Sequence, residues 1–479
     1  MTLPHTMINK ATLLLLLLLC HALPLAAQQA ALDWSTFREQ LLRQHPAARQ
    51  ANLFRDQASA ALLRAKGGFD PKTYADFSSK NFDGKTYFRY TEAGLKLPTW
   101  GGLELKSNYN LASGNFLNSE STLPTGGQAA AGFNWTLGQG LMIDERRAGL
   151  RQARIGLESA AAERLILLND FVLDAAKAYW NWTLADNQLR IYEEALRQAR
   201  IRHEGLRESF VQGDKPAIDT LETFIQLQNR LLDVNFTRVE LQNAALALSN
   251  FVWVTEEQII APESLPPSPQ LVEMAAAAPF AIPPVGTLAQ QARSAHPELR
   301  YYRAKLENLE VERRLKNEKR KPVLDLNYNL LGAGWEFFPT ANNDGVGVLA
   351  NDIKWGVNFS YPLLNRKARG DLQITQIKIA QTDNEFRQKR QLIETKVQQY
   401  DNDLQNLRNQ MLLYRDITAN YRRLLDGELE KFNLGESSIF LINTREQRWL
   451  DAQVKYLKLL AELRKAEAGL LWSAGVLAE

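Results

Sequence analysis

The chain has 479 residues, 57 of them basic and 54 acidic, and a single cysteine, Cys20. A balance this close to neutral leaves no electrostatic footprint for nucleic acid, and one cysteine excludes a disulfide framework. No run of 18 apolar residues occurs, so passage through a membrane would have to be made by a closed barrel rather than a helix.

Residues 1–27 carry Lys10, then Leu13 to Leu19, then small residues up to Ala26 and Ala27. This is the pattern of a secretory signal peptide, with cleavage expected near Ala27. Lipidation at Cys20 is the rival, disfavoured because Leu19 stands where a small residue is wanted. Residues 32–66 then read as a helix with His45-Pro46 in its first turns and Leu53, Phe54, Ala58, Leu62 and Leu63 on its apolar side.

Four strands follow, at about 72–80, 86–97, 103–112 and 128–137. The second and third alternate polar with apolar, and each of the four is close to the ~9–11 residues that a tilted membrane strand needs. Pro98 to Gly102 makes a tight turn between the second and third, and Ser113 to Gly127 a longer loop. Gly132-Phe-Asn-Trp-Thr-Leu-Gly138 then leads through Asp144 to Ala148 into a helical pattern over 140–212. At 1.5 Å per residue, a helix of about 70 residues spans roughly 100 Å, which no small globular domain accommodates.

The chain turns back at Phe210 to Glu222, where Gly213 supplies a left-handed C′ position and Pro216 a first-turn position. A return helix follows over 217–254. Residues 261–286 are rich in Pro and Ala and read as a linker. The same order of elements then recurs: a helix at 290–321 containing His296-Pro297, strands at about 323–331 and 353–361 separated by the loop 332–352, a long helix over 365–434, a turn at Phe432 to Thr444, and a return helix over 439–471.

His45 and His296 are 251 residues apart, Gly132 and Gly356 224, and Gly213 and Gly435 222. The chain is therefore an internal repeat, residues 28–260 and 287–479. The first copy carries about 27 extra residues, confined to its strand region. Aromatic residues crowd the strands, and Tyr87, Tyr90, Trp135, Trp355, Phe359 and Tyr361 are expected to form membrane-interface belts. Six strands are too few to close a barrel, since single-chain bacterial barrels start at about 8, so several copies must pool their strands.

The repeat, the strand-to-helix joints at Gly132–Ala148 and Gly356–Ala368, and the paired turns behind two long helices resemble the TolC-like outer-membrane efflux proteins over the whole mature length. That resemblance implies an α+β membrane protein of a Gram-negative outer membrane. In it, a homotrimer pools its strands in one barrel and its long helices form a periplasmic coiled-coil tunnel. It implies a passive exit channel that takes solutes from an inner-membrane transporter through a periplasmic adaptor, without cofactor. A duct for type I protein secretion is the alternative within the family, and a periplasmic coiled-coil adaptor or scaffold the alternative outside it. The resemblance also implies that the tips (Phe210, Gly213, Asp214, Phe432, Gly435 and Glu436) contact the adaptor where the tunnel closes, with Asp219, Glu222, Leu441 and Thr444 at the channel entrance.

Two departures stand out. The family usually contributes four strands per chain, so the extra material predicts either an 18-stranded trimer or, as preferred here, an accessory hairpin at 98–125 outside the wall. Some members also place acidic residues six and nine positions after the tip glycine of the second copy, where this chain has Leu441 and Thr444; the first copy has Asp219 and Glu222. These two would form an acidic entrance ring favouring cations, or would merely complement the N-terminal end of the return helix. The three mature histidines, His45, His203 and His296, show no metal-ligand spacing, and no nucleophile motif or phosphate loop is present, so no enzymatic activity is expected.

Overall fold

A computed structural model describes residues 31–119, 122–255, 258–276, 280–335 and 352–478. The expected signal peptide, Cys20 and most of the 332–352 loop lie outside these residues. In chain order the elements are α1 (Trp34–Gln44), α2 (Pro46–Lys66), β1 (Lys72–Phe82), β2 (Lys85–Pro98), β3 (Leu103–Ser113), β4 (Gln128–Thr136), α3 (Glu145–Val211), α4 (Ala217–Ser249), α5 (Val285–Ala295), α6 (Pro297–Glu318), β5 (Val323–Ala333), β6 (Ile353–Ser360), α7 (Arg366–Asn433) and α8 (Ile439–Ser473). The two long helices, 67 and 68 residues, thus run close to their expected bounds. The chain divides into two units, and both long helices contribute residues to each.

One unit comprises Gln50–Asp170, Pro284–Gln398 and Trp472–Glu479. Among the described residues it contains one six-stranded antiparallel sheet in the order β1-β2-β3-β4-β5-β6. Sequence order equals spatial order, so every connection joins neighbours and no strand crosses another. The β1–β2 turn is Asp83-Gly84, both with positive φ (51° and 68°), which suits the right-handed twist of a hairpin.

Here the expectation of an accessory hairpin at 98–125 fails. β3 lies inside the sheet, paired with β2 from Arg89↔Ser113 to Pro98↔Glu104 and with β4 from Leu103↔Trp135 to Asn110↔Gln128. Alternation along β3 supplies both faces with the right residues, and this outweighs the weak register information of the Gly- and Asn-rich loop after it.

The other unit comprises the segments up to Arg49, Phe171–Pro283 and Gln399–Leu471. Its core gathers aromatic rings: Trp34 lies 5.4 Å from Tyr179 and 5.3 Å from Phe280, and Tyr179 donates its hydroxyl to the Leu32 carbonyl at 2.7 Å. Both Tyr179 and Trp180 are fully buried. Before α5, the described residues of the Pro- and Ala-rich segment form two single 3-10 turns, Pro262–Ser264 and Glu273–Ala276. Side chains hold it in place: Leu271 N–H donates to Asn187 Oδ1 (3.0 Å), Asn187 Nδ2 to the Pro269 carbonyl (2.9 Å), and Arg464 Nη2 to the Met274 carbonyl (2.6 Å).

The helices expected at 32–66 and 290–321 are each broken at the histidine. A residue before proline is driven out of the helical region, and His45 and His296 have extended ψ values of 135° and 130°. Each ring then caps the helix that follows. Nδ1 of His45 accepts from Ala47 N–H (3.0 Å), and Nδ1 of His296 from Glu298 N–H (3.1 Å). The opposite ring nitrogen of His45 lies 3.0 Å from the Asn250 carbonyl, just after α4, and His296 bonds the Ser473 carbonyl at the end of α8. The equivalent positions in the repeat are therefore two equivalent structural staples.

Candidate functional site: an amphipathic sheet and paired helix turns

Residues opposed across a sheet share a face, so the register sorts the side chains. One face carries Asp76, Glu92, Asn108, Ala130, Leu331 and their alternating neighbours, among them Lys96, Lys106, Asn110, Asn134, Asn327, Asn329 and Lys354. It is a hydrogen-bonded polar surface: Tyr74 Oη donates to Glu92 at 2.7 Å and Asn108 Nδ2 to the same carboxylate at 2.9 Å. Four acidic residues (Asp76, Glu92, Glu104, Asp325) share this face with five lysines (Lys72, Lys80, Lys96, Lys106, Lys354), so the surface is wettable without a dominant sign.

The other face carries Leu95, Leu97, Leu105, Leu111, Phe133, Trp135, Leu326, Tyr328, Trp355, Val357 and Phe359, with Phe133 and Tyr328 stacked at 5.7 Å. Of the expected belt residues, Trp135, Trp355 and Phe359 lie on this face. Tyr87 shares its parity along β2, stacked on Phe116 at 4.8 Å, and the exposed Tyr361 comes directly after β6. Tyr90 is a correction. It is on the polar face, opposite Ser78 and Ala112, with its hydroxyl 3.3 Å from both Glu92 and Asn110. Counting aromatics without assigning parity put it on the wrong side. Among the described residues β1 and β6 are the sheet's open edges.

In the other unit, the two turns are built alike. At the first, Gly213 N–H donates to the Phe210 carbonyl (2.9 Å) and Asp214 N–H to that of Ser209 (2.9 Å). At the second, Gly435 N–H donates to Phe432 (3.0 Å) and Glu436 N–H to Lys431 (2.9 Å). Both are Schellman motifs, which close a helix only if C′ is left-handed; Gly213 and Gly435 have φ of 86° and 80°. Phe432 packs against a core of Leu206, Leu425, Ile439 and Ile442, with the Lys215 ammonium 5.0 Å from its ring centre. Phe210, by contrast, is exposed.

Asp219 lies in the first turn of α4, half-buried, and Glu222 one turn on accepts from Asn443 Nδ2 at 3.3 Å. Thr444 donates to its own helix at the Phe440 carbonyl (2.8 Å), and Leu441 is exposed. Sequence reading missed the strongest link. Arg202 of α3 grips Glu446 of α8 with both guanidinium arms (2.8 and 3.0 Å) and reaches Asn443 Oδ1 at 3.2 Å. Charges spread along a helix look solvated one at a time, and only packing reveals a bidentate pair. His203 Nδ1 lies 3.1 Å from Thr223 Oγ1 nearby. No cluster of metal-ligating side chains occurs among the described residues.

The model of the outer membrane efflux protein family matches residues 288–476. No curated protein matches the chain. Solved structures do. The MtrE outer membrane channel of Neisseria gonorrhoeae, in its open state, is 12% identical, with a TM-score of 0.66 over 94% of this chain and 93% of that one. The CmeC outer membrane channel of Campylobacter jejuni is 13% identical, with a TM-score of 0.63 over 92% and 85%. The outer membrane protein VceC of Vibrio cholerae is 13% identical, with a TM-score of 0.62 over 92% and 96%. At such identities the likeness is one of fold.

Proposed function

We propose that the chain, whose residues 288–476 match the model of the outer membrane efflux protein family, is the outer-membrane exit channel of an efflux system in a Gram-negative bacterium, working as a homotrimer. The observation that carries this reading is the sheet: one face polar, one apolar, and two open edges. Lipid does not tolerate an open edge, and six strands cannot close on themselves at the usual size of a bacterial barrel. Three copies joined β6 to β1 close both edges at once, with the polar face lining the duct and the Leu- and aromatic-rich face meeting lipid.

A second observation supports pooling of chains. Ile218, Ile225, Leu232, Val239 and Leu246 recur every seven residues along α4, and all five are exposed. A strict seven-residue apolar repeat is the seam of a coiled coil, and here it awaits a helix of a neighbouring copy. The duct supplies no energy. The two equivalent Schellman turns present paired contact points for a periplasmic adaptor, through which an inner-membrane pump would deliver solute. Asp219 and Glu222, three copies of each, would bias the entrance toward cations.

The test is the mass and single-channel conductance of detergent-purified protein. A species of three chain masses that opens pores in a planar bilayer is expected. A detergent-independent monomer without conductance would leave the helical scaffold reading instead.

A further inference from the structure

Beside the β2–β3 turn, in the unit that contains the sheet, a groove of about 530 Å³ opens between the start of α3 and the end of α6. Four arginines line it: Arg147, Arg151, Arg154 and Arg314. Arg147 is engaged by Asp144 (3.2 Å) and by the Leu141 and Gly140 carbonyls. The groove's carboxylate, Glu318, is buried and already serves Lys321 (2.8 Å) and the Met142 N–H (3.1 Å). Arg151, Arg154 and Arg314 are exposed and have no hydrogen-bond or ion-pair partner among the described residues. Three unpaired guanidiniums around one concavity repel one another, and an anion with several acceptor oxygens removes that repulsion and fills their planar forks.

The rim adds a second, different signal. Trp100, 58% exposed and stacked on Phe69 at 4.6 Å, projects from the β2–β3 turn, and Met142 is 73% exposed. The turn stands at the helix end of the sheet, just past Leu97 and Leu103 of the apolar face. Exposed Trp at the level where a lipid-facing surface ends is the mark of a bilayer interface, and basic pockets at that level take phospholipid head groups. We propose that this groove binds the phosphate of an anionic phospholipid, with Trp100 and Met142 against the start of its acyl chains. The inference rests on the barrel reading above.

The test uses full-length protein reconstituted in phosphatidylcholine nanodiscs containing phosphatidylglycerol, with bound lipid counted by native mass spectrometry. Wild type is expected to retain phosphatidylglycerol under activation that strips phosphatidylcholine. The Arg151→Gln/Arg154→Gln/Arg314→Gln variant should retain at least tenfold less, and the corresponding lysine variant should recover much of it. A control replacing the exposed Arg200, Arg207 and Arg423 with Gln should behave as wild type. Equal retention by the groove variant, or equal loss in the control, overturns the proposal. Displacement of the lipid by submillimolar inorganic phosphate overturns the lipid assignment in favour of a free anion. Conductance of the same preparations separates the two readings: pores without selective lipid retention refute only the groove, whereas absence of pores in wild type refutes the duct.

Discussion

Replacing Glu446 with Gln keeps the shape of the side chain and removes its charge. Glu446 is almost fully buried (6% side-chain exposure), and Arg202 retains 20%. Deleting one partner of a buried, hydrogen-bonded ion pair costs about 3–5 kcal/mol, and a single bond to a charged group is worth about 1.5–3 kcal/mol. Two features reduce the loss. The Arg202 head reaches solvent at its edge, and Asn443 still accepts from it at 3.2 Å. An expected cost of ~2 kcal/mol corresponds to about a 30-fold change in the local opening equilibrium. Hydrogen exchange read by mass spectrometry on the purified protein measures this directly. Amides of α8 near Glu446 and of α3 near Arg202 should exchange about 30-fold faster, while those of β3 and β4 keep their rates. Adding Arg202→Gln should restore part of the protection, because the two losses are not additive. A change below about threefold, or one of equal size in the sheet, would refute the assignment of the pair as the clasp between these helices.

Burial holds His296 down at about 4, against an ordinary 6.5, so between those pH values the unfolded chain binds more protons than the folded one. Its contribution, ~3 kcal/mol, is therefore complete above pH 6.5 and is lost as the pH falls toward 4; burial lowers His45 in the same direction. His296→Asn, which keeps a capping side chain, should flatten the acid side of the thermal-midpoint profile, and a profile parallel to wild type would count against the cap. Gly213→Val and Gly435→Val should each loosen the local turn by about 1–2 kcal/mol, because a side chain with positive φ is strained. Their check is protease sensitivity at the turns, and wild-type resistance in both would contradict the Schellman geometry. Asp219→Ala with Glu222→Ala should reduce cation selectivity in bilayers; an unchanged reversal potential would remove the acidic ring.

Most of the architecture was legible because each element repeats a simple period over a long stretch. All six strands and two helices of nearly 70 residues fall within a few residues of their expected places. The misreadings have local physical causes. The role of β3 depended on its neighbours: its own alternation was visible, but a Gly-rich loop hides whether a strand joins a sheet or stands apart. Tyr90 departs from the expected belt because aromatic character alone does not fix the face of a strand on which a residue lies. Asp83-Gly84 is a hairpin signal readable from the sequence alone. Arg202 and Glu446, and the staples made by His45 and His296, are contacts between distant segments, and no spacing in one sequence encodes such a meeting.

The sheet's order of strands fixes how such a wall can grow. Each copy of the repeat rises from a short helix and descends into a long one, so its strands must come in even number. A hairpin slipped between β1 and β4 leaves both junctions where they were. Inserted hairpins thus change girth without rewiring: in a threefold assembly, one duplicated hairpin adds six staves to the cask, and lumen diameter grows roughly in proportion to their number. In such an assembly the bore would change only in coarse, whole steps, with the strand-to-helix junctions unmoved.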